Sequence, residues 1–231
     1  MEIKNNEIID ICVLTYNRLP YLKKCIWSIL ASTKINFRLL VLSDNSTDGT
    51  NEWLLEMKKR KKIDVLIINE NNIGSAKSFN KLISKTESKY FVMCCDDIYF
   101  HRGWDETTIK IINDYDDCGI VTFFDYARLK IDSDVVKVTN NIYKLKKTGL
   151  AATIINKKIF DMVGGFKLPN NKKMGWFATP FCLKTDKINF KRKKHYITVP
   201  EFANRMDHVK SKLNEDDILK NYILRREKIK K

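Results

Sequence analysis

The stretch Phe91-Val92-Met93-Cys94-Cys95-Asp96-Asp97-Ile98 joins a short apolar run to two adjacent carboxylates. An apolar run of this length is typical of a buried strand. In an open α/β sheet, ligands bind in the crevice at the carboxyl ends of the strands, which is where Asp96 and Asp97 would lie. Their oxygens suit Mg²⁺ or Mn²⁺, which take their remaining ligands from substrate phosphates. The alternative is that both carboxylates only open a loop or cap the helix that follows Gly103.

Predicted strands and helices alternate through the first half of the chain. The strands are residues 8–14, 37–42, 63–68 and 90–95, and the helices are residues 21–30, 46–62 and 74–85. Strands that alternate with helices form βαβ units. The pattern therefore predicts a mostly parallel central sheet with helices on both faces.

The second half of the chain is less regular. Strands are expected at residues 119–124, 151–155 and 196–199, with two short strands around Asn140-Asn141. Helices are expected at residues 103–113 and 174–184, in a short segment that ends at Gly164-Gly165, and in the basic C-terminal segment. Neither a linker nor a repeat divides the chain, so 231 residues predict a single domain.

Four polar loops follow the four strands of the first half. They are Thr15-Tyr16-Asn17-Arg18, residues 43–50, residues 71–77 and Asp96-Asp97. The carboxyl ends of parallel strands lie at one edge of a sheet, so all four loops should meet there. Polar turns and helix N-termini offer backbone N–H groups to a diphosphate. We therefore expect a nucleotide-type ligand at this edge.

Composition limits the class and the environment of the protein. No stretch reaches the roughly 18 apolar residues of a membrane span, and the polar N-terminus lacks an apolar signal region. The six cysteines form no CxxC pair, which favours reduced thiols over a zinc site or disulfides. We therefore expect a cytoplasmic protein that could lie at the inner face of the membrane.

The net charge of +15 has two interpretations. Much of the lysine can be solvated surface, because the chain is rich in Lys, Asn and Ile together. Alternatively, the charge steers a polyanion such as nucleic acid or an anionic membrane. No helix-turn-helix, zinc-finger or RNP pattern supports a nucleic-acid-binding fold.

An ordered set of motifs resembles the inverting family-2 glycosyltransferases, which have the GT-A fold. The motifs are Val13 to Arg18, Leu42 to Thr50, Asn72 to Ala76 with Phe79-Asn80, Cys95-Asp96-Asp97 before Gly103-Trp104, Gly149 to Ile155, Val163 to Phe166, Val199-Pro200 and Asp207-His208. The resemblance covers roughly residues 8–210. The Asn-Ile-Gly form of the third motif resembles the rhamnosyl- and galactofuranosyl-type branch.

The resemblance implies a nucleotide-sugar site and assigns roles to its residues. Thr15, Asn17, Arg18 and Asp44 would hold the base and ribose. Asn72, Gly74 and Lys77 would lie near the ribose and diphosphate. Asp97 would bind Mn²⁺ or Mg²⁺ with Asp96 beside it, and His208 would be a further metal or diphosphate ligand. The metal and a neutral imidazole would stabilise the charge that develops on the departing diphosphate.

The resemblance also divides the single domain. Residues 8–125 would form the nucleotide-sugar-binding half and residues 126–210 the acceptor-side half. Residues 211–231 would form a basic C-terminal helix.

The chain departs from the family pattern in two places. Cys95 stands where the metal motif normally begins with a carboxylate or amide. Phe177 and Ala178 align with the Glu-Asp pair, one member of which deprotonates the acceptor hydroxyl, and neither can accept a proton. Asp186 and Asp125 are the alternative candidates for the catalytic base.

Three functions are consistent with these features. The first is metal-dependent, inverting transfer of a sugar from a nucleotide donor to a hydroxyl of a glycan or lipid-linked acceptor. In that case the basic C-terminal helix could rest on anionic lipid. The second is a GT-A module that binds nucleotide sugars without catalysis, and the third is a basic nucleic-acid-associated protein.

Overall fold

The computed structural model describes residues 7–123, 136–139, 142–145, 149–168, 177–198 and 203–205. The strands are β1 (Ile9–Thr15), β2 (Phe37–Ser43), β3 (Val65–Ile68), β4 (Tyr90–Cys95), β5 (Ile98–Phe100), β6 (Cys118–Thr122), β7 (Val136–Lys137), β8 (Ile142–Leu145), β9 (Ala152–Asn156), β10 (Lys194–Thr198) and β11 (Ala203–Arg205). The helices are α1 (Leu19–Ser32), α2 (Thr50–Lys59), α3 (Ser75–Ile83), α4 (Trp104–Asp114), α5 (Lys157–Val163) and α6 (Ala178–Thr185).

The strands of the main sheet have the order β3-β2-β1-β4-β9-β6-β10-β8-β7. The pairs β2–β3, β1–β2, β1–β4 and β6–β10 are parallel. β9 runs antiparallel to both β4 and β6, and β8 runs antiparallel to β10 and β7. Within the described ranges, all strands of this sheet except β8 and β9 therefore point the same way, which confirms the predicted mostly parallel α/β sheet.

Helices cover both faces of this sheet, as predicted. Along β1, Ile9, Ile11 and Val13 pack toward α1, α2 and α4, whereas Cys12 packs toward α3. The second face also buries residues of α5 and α6. Because β1 is buried on both faces, residues 11–14 form an uninterrupted apolar run, and Asp10 is the charged residue within the strand.

A small second sheet was not predicted. β5 follows Asp97 directly and pairs antiparallel with β11, a partner more than 100 residues later in the chain. A strand of three residues carries no periodic signal, and nothing local specifies so distant a partner. The antiparallel pairing of β7 with β8 around Asn140-Asn141, in contrast, agrees with the sequence.

No helix in the described part of the chain is long and apolar enough to cross a membrane. Two predicted site residues, Asp125 and His208, and the basic segment 211–231 lie outside the described residues.

A buried carboxylate holds the amino edge of the sheet together. Asp10 on β1 is fully buried and accepts hydrogen bonds from Arg38 Nε and Nη2 at 2.7 and 3.1 Å. The backbone N–H groups of Glu87 and Ser88 donate to its Oδ2 at 2.7 and 2.9 Å. Burial by itself would raise the pKa of Asp10, but the bonds from Arg38 and the two amides outweigh it and lower the pKa.

We expect Asp10→Ala to lower the free energy of unfolding by about 3 kcal/mol, because it leaves Arg38 without its buried partner. Urea denaturation measures this loss. The matched control is Asp116→Ala, which removes an exposed carboxylate paired with exposed Lys191 and should leave the urea midpoint unchanged. Equal effects of both substitutions would contradict a structural role for Asp10.

Candidate functional site

The predicted polar loops meet at the carboxyl edge of the sheet. β3, β2, β1 and β4 are adjacent and parallel, so the loops that follow them leave from the same edge. The chain moves from β1 to β2 and β3 on one side, and then to β4 on the other. Such a reversal of strand order opens a crevice for ligands. It falls between the loop after β1 and Asp96-Asp97.

Two carboxylates and two residues of the first loop are in contact in this crevice. Thr15 Oγ1 donates to Asp96 Oδ2 at 2.8 Å. Arg18 Nη1 lies 3.3 Å from Asp96 Oδ1 and 3.4 Å from Asp97 Oδ2. Asp96 and Asp97 are 4% and 0% exposed. The structure thus brings together Thr15, Arg18, Asp96 and Asp97, which the sequence had placed in one site.

The environment of Asp96 opposes its ionisation. Burial, with a smaller contribution from the charge of Asp97, raises the pKa of Asp96 to about 6 despite the opposing effects of Arg18 and Thr15. A carboxyl group with a raised pKa in a crevice is characteristic of functional sites.

We expect the stability difference between the unsubstituted protein and Asp96→Asn to depend on pH without metal. The folded pKa of Asp96 lies above its unfolded value near 3.8, so its contribution to stability is fully present below about pH 3.8 and is lost as the pH rises through about 6. Between pH 4 and 7, the unfolding free energy of the unsubstituted protein should therefore fall relative to that of Asp96→Asn. Urea titrations at several pH values measure this difference.

Asp48 provides the control of opposite sign. Burial opposes its ionisation, but hydrogen bonds from Thr50 and Leu19 outweigh burial and lower its pKa. Its contribution is lost only as the pH falls below about 3.8, so Asp48→Asn should show no trend between pH 4 and 7. If the difference in unfolding free energy between the unsubstituted protein and Asp96→Asn also stays constant from pH 4 to 7, the pKa of Asp96 is not raised.

Asn17 fastens the first loop to the second. Ser46 Oγ accepts a hydrogen bond from Asn17 N at 3.0 Å, and Asn17 Oδ1 accepts one from Thr47 N at 2.7 Å. Its φ of +52° is a left-handed conformation that asparagine tolerates better than most residues. Asn17 therefore shapes the crevice through these bonds.

Asp44 orders the third loop. Its Oδ1 accepts from Asn69 Nδ2 at 2.8 Å and from Ile73 N at 3.0 Å, and its Oδ2 accepts from Gly74 N at 2.9 Å. The side chain is buried between β2 and this loop. The resemblance assigned Asp44 to the base and ribose, and the structure shows that its carboxylate fixes the backbone of the third loop at Ile73 and Gly74.

We expect Asp44→Asn to loosen residues 72–74, because an amide nitrogen cannot accept the hydrogen bond of a backbone N–H. The cost should be about 1–3 kcal/mol. Hydrogen exchange at the amides of Ile73 and Gly74 should become faster. The control Asn72→Ala removes one exposed bond to Gly74 N, 3.1 Å long, and should change exchange less. Unchanged exchange in Asp44→Asn would contradict this role.

The third loop ends at the N-terminus of α3. Gly74 precedes the helix with a φ of +82°, a conformation that favours glycine. Lys77 lies in the first turn of α3 and is exposed. A helix N-terminus with a nearby lysine favours an anionic ligand, in agreement with the diphosphate role predicted for Asn72, Gly74 and Lys77.

Of the two candidate bases, Asp125 lies outside the described residues, and Asp186 is not brought to this site. Asp186 ends α6 and its Oδ1 lies 3.2 Å from Lys194 Nζ. Lys194 begins β10, which runs parallel to β6, so Asp186 lies at the amino edge, opposite Asp96 and Asp97. Phe177 is buried, and its ring centroid lies 4.7 Å from that of Phe166 and 6.2 Å from that of Phe79. This position is thus part of an apolar cluster.

Asn80 connects α3 to Phe166, and the sequence did not predict this contact. Its Nδ2 donates to Phe166 O at 2.8 Å, and its Oδ1 accepts from Phe166 N at 2.9 Å. Gly165 has a φ of +73°, and a Cβ there would lie 3.0 Å from Asn80 Oδ1, so this position favours glycine. The signal was present in Phe79-Asn80 and Gly164-Gly165-Phe166, but their contact spans 86 residues.

The donor set in the crevice fits a hard divalent cation. Asp96 and Asp97 offer carboxylate oxygens, and Mg²⁺ is usually held by one or two carboxylates together with substrate phosphates. No cluster of three or more His, Cys, Asp or Glu residues suited to a metal occurs within the described ranges.

A mostly parallel α/β sheet with this crevice and carboxylate pair is the arrangement of a GT-A glycosyltransferase. The family model for glycosyl transferase family 2 matches residues 10–173, so the chain belongs to that family. An uncharacterized glycosyltransferase of Rickettsia bellii is 31% identical over 102 residues, which are 44% of this chain and 14% of that protein. The chain thus matches only a small part of this relative.

Solved structures confirm the fold. The mannosyltransferase PcManGT from Pyrobaculum calidifontis, in complex with GDP-Man and Mn²⁺, superposes with a TM-score of 0.64 at 14% identity, over 87% of this chain and 58% of that one. TarS of S. aureus in complex with UDP-GlcNAc gives a TM-score of 0.62 at 16% identity, over 93% of this chain and 65% of that one. At such identities the likeness establishes the GT-A fold and nothing further.

Proposed function

We propose that the protein transfers a sugar from a nucleoside diphosphate sugar to an acceptor hydroxyl with inversion, and that it depends on Mn²⁺ or Mg²⁺. The observation that carries this proposal is the contact of Asp96 and Asp97 with Thr15 and Arg18 where the strand order reverses. The mannosyltransferase neighbour, which holds GDP-Man and Mn²⁺, supports it.

Different residues of the crevice would bind different parts of the donor. Asp97, with Asp96 beside it, would hold the cation, which supplies Lewis-acid stabilisation of the departing diphosphate. The N-terminus of α3 and Lys77 would face the diphosphate. Thr15, Asn17, Arg18 and Asp44 would form the wall next to the base and ribose. His208 remains a proposed ligand from the resemblance.

Inversion requires the acceptor hydroxyl to attack from the side opposite the diphosphate. The acceptor we propose is a hydroxyl of a glycan or lipid-linked glycan, with the basic segment 211–231 resting on anionic lipid. The Asn-Ile-Gly sequence at residues 72–74 supports a donor of the rhamnosyl or galactofuranosyl type. Asp125 is the remaining candidate base, since Asp186 lies at the opposite edge.

The second candidate is a module that binds the donor without transferring it. The buried Phe177 at the aligned base position favours this alternative, because an apolar side chain cannot deprotonate a hydroxyl. A nucleoside diphosphate that binds while no donor sugar is consumed with glycan acceptors would support it. Tight, salt-sensitive binding to any polyanion, unaffected by substitution of Asp97, would instead support a nucleic-acid-associated protein.

We expect Asp97→Ala to abolish metal-dependent stabilisation by the donor nucleotide. The measurement is a thermal-shift series with UDP, GDP, CDP and dTDP and their sugar conjugates, with Mn²⁺ or Mg²⁺ and with EDTA. A ligand at 100 times its Kd stabilises the folded state by about 2.7 kcal/mol, so one nucleotide should raise the Tm of the unsubstituted protein only with metal. Donor hydrolysis is followed in the same samples.

The matched control is Asp116→Ala, an exposed carboxylate at the amino edge, which should keep the full metal-dependent shift. A shift in Asp97→Ala equal to that of the control would contradict the assignment of the metal site. No shift with any donor in the unsubstituted protein would contradict the proposed function.

A further inference from the structure

The Arg18 guanidinium lies between the carboxylates that the proposed function assigns to a divalent cation. A single nitrogen, Nη1, is 3.3 Å from Asp96 Oδ1 and 3.4 Å from Asp97 Oδ2. The carboxylate side chains are 6% and 1% exposed, whereas that of Arg18 is 35% exposed. The positive charge therefore reaches the buried pair from the mouth of the crevice.

The Arg18 guanidinium and a divalent metal ion cannot both occupy the position between these carboxylates. Two adjacent buried carboxylates repel each other and require a compensating positive charge. A divalent ion bound to the same oxygens would stand close to the guanidinium, and like charges at short range repel strongly where water is scarce. A metal bound to Asp96 Oδ1 and Asp97 Oδ2 would therefore break the contacts of Arg18 with both carboxylates.

We propose that Arg18 substitutes for the divalent cation in the donor-free protein and moves to the donor phosphates when the metal binds; this inference rests on the proposed function. Arg18 is the N-cap residue of α1, and its long, partly exposed side chain can turn without unfolding the helix. A guanidinium pairs well with phosphate oxygens. The same movement then favours metal and nucleotide together, which makes their binding cooperative.

Arg18→Gln tests the competition directly, because it removes the charge and keeps a polar side chain. Free Mn²⁺ is measured by electron paramagnetic resonance during titration, without nucleotide. We expect Arg18→Gln to bind Mn²⁺ about tenfold more tightly than the unsubstituted protein. The reason is that the metal no longer has to break a charge-assisted contact between Arg18 and the carboxylates.

Two variants serve as controls. Lys23→Ala removes one positive charge from α1 at a side chain that lies 6.0 Å from the ring of Trp53, and its Mn²⁺ affinity should stay within about twofold. Asp97→Asn should bind no Mn²⁺ at all. Melting curves in EDTA show that each variant is folded, and Mn²⁺ should raise the Tm of Arg18→Gln more than that of Lys23→Ala.

The second measurement is the coupling between Mn²⁺ and the nucleoside diphosphate that stabilises the unsubstituted protein. In the unsubstituted protein, Mn²⁺ should lower the Kd of the nucleotide and the nucleotide should lower the Kd of Mn²⁺ by the same factor. This factor should be smaller in Arg18→Gln. Equal or weaker Mn²⁺ binding by Arg18→Gln, with donor binding intact in the unsubstituted protein, would overturn the proposal for Arg18 alone. Absence of both Mn²⁺ and nucleotide binding in every variant would overturn the proposed function with it.

Discussion

The position of β1 between two parallel neighbours determines the rest of the molecule. β1 is hydrogen-bonded to β2 on one side and to β4 on the other, and it is buried on both faces. The chain can reach both neighbours in parallel only through helical crossovers, which place α1, α2 and α3 on the faces of the sheet. The loops after β1 and β4 then open toward a common crevice. The strand order alone therefore determines where the crevice lies.

The pKa values of the buried carboxylates Asp10 and Asp96 are shifted in opposite directions at the two edges of the sheet. At the amino edge, Arg38 and two backbone amides satisfy Asp10 and lower its pKa. At the carboxyl edge, burial and the charge of the adjacent Asp97 together raise the pKa of Asp96 to about 6. The first arrangement is that of a structural ion pair. The second retains electrostatic strain that a bound cation would relieve, which is the property expected of a ligand site.

Within the described residues, polar contacts connect α3 to the segment around Phe166. Asn80 on α3 holds the backbone of Phe166 through both of its side-chain heteroatoms. The helix whose N-terminus would face the diphosphate is therefore fixed to the segment that leads toward α6. Phe177 packs into the same region, so an aromatic cluster occupies one of the two positions that the resemblance aligns with a pair of carboxylates.

The sequence by itself determined the elements of the first half and the edge at which their loops meet, because hydrophobic periodicity and turn residues are local signals. It also predicted that Thr15, Arg18, Asp96 and Asp97 lie together at that edge, where the structure shows them in contact. Only the tertiary structure decided that Arg18 bridges the carboxylates, that Asp44 fixes the third loop, that Asp186 lies at the opposite edge, and that β5 pairs with β11. These contacts join residues far apart in the chain, and their partners are selected by packing and burial, which no local pattern of residues encodes.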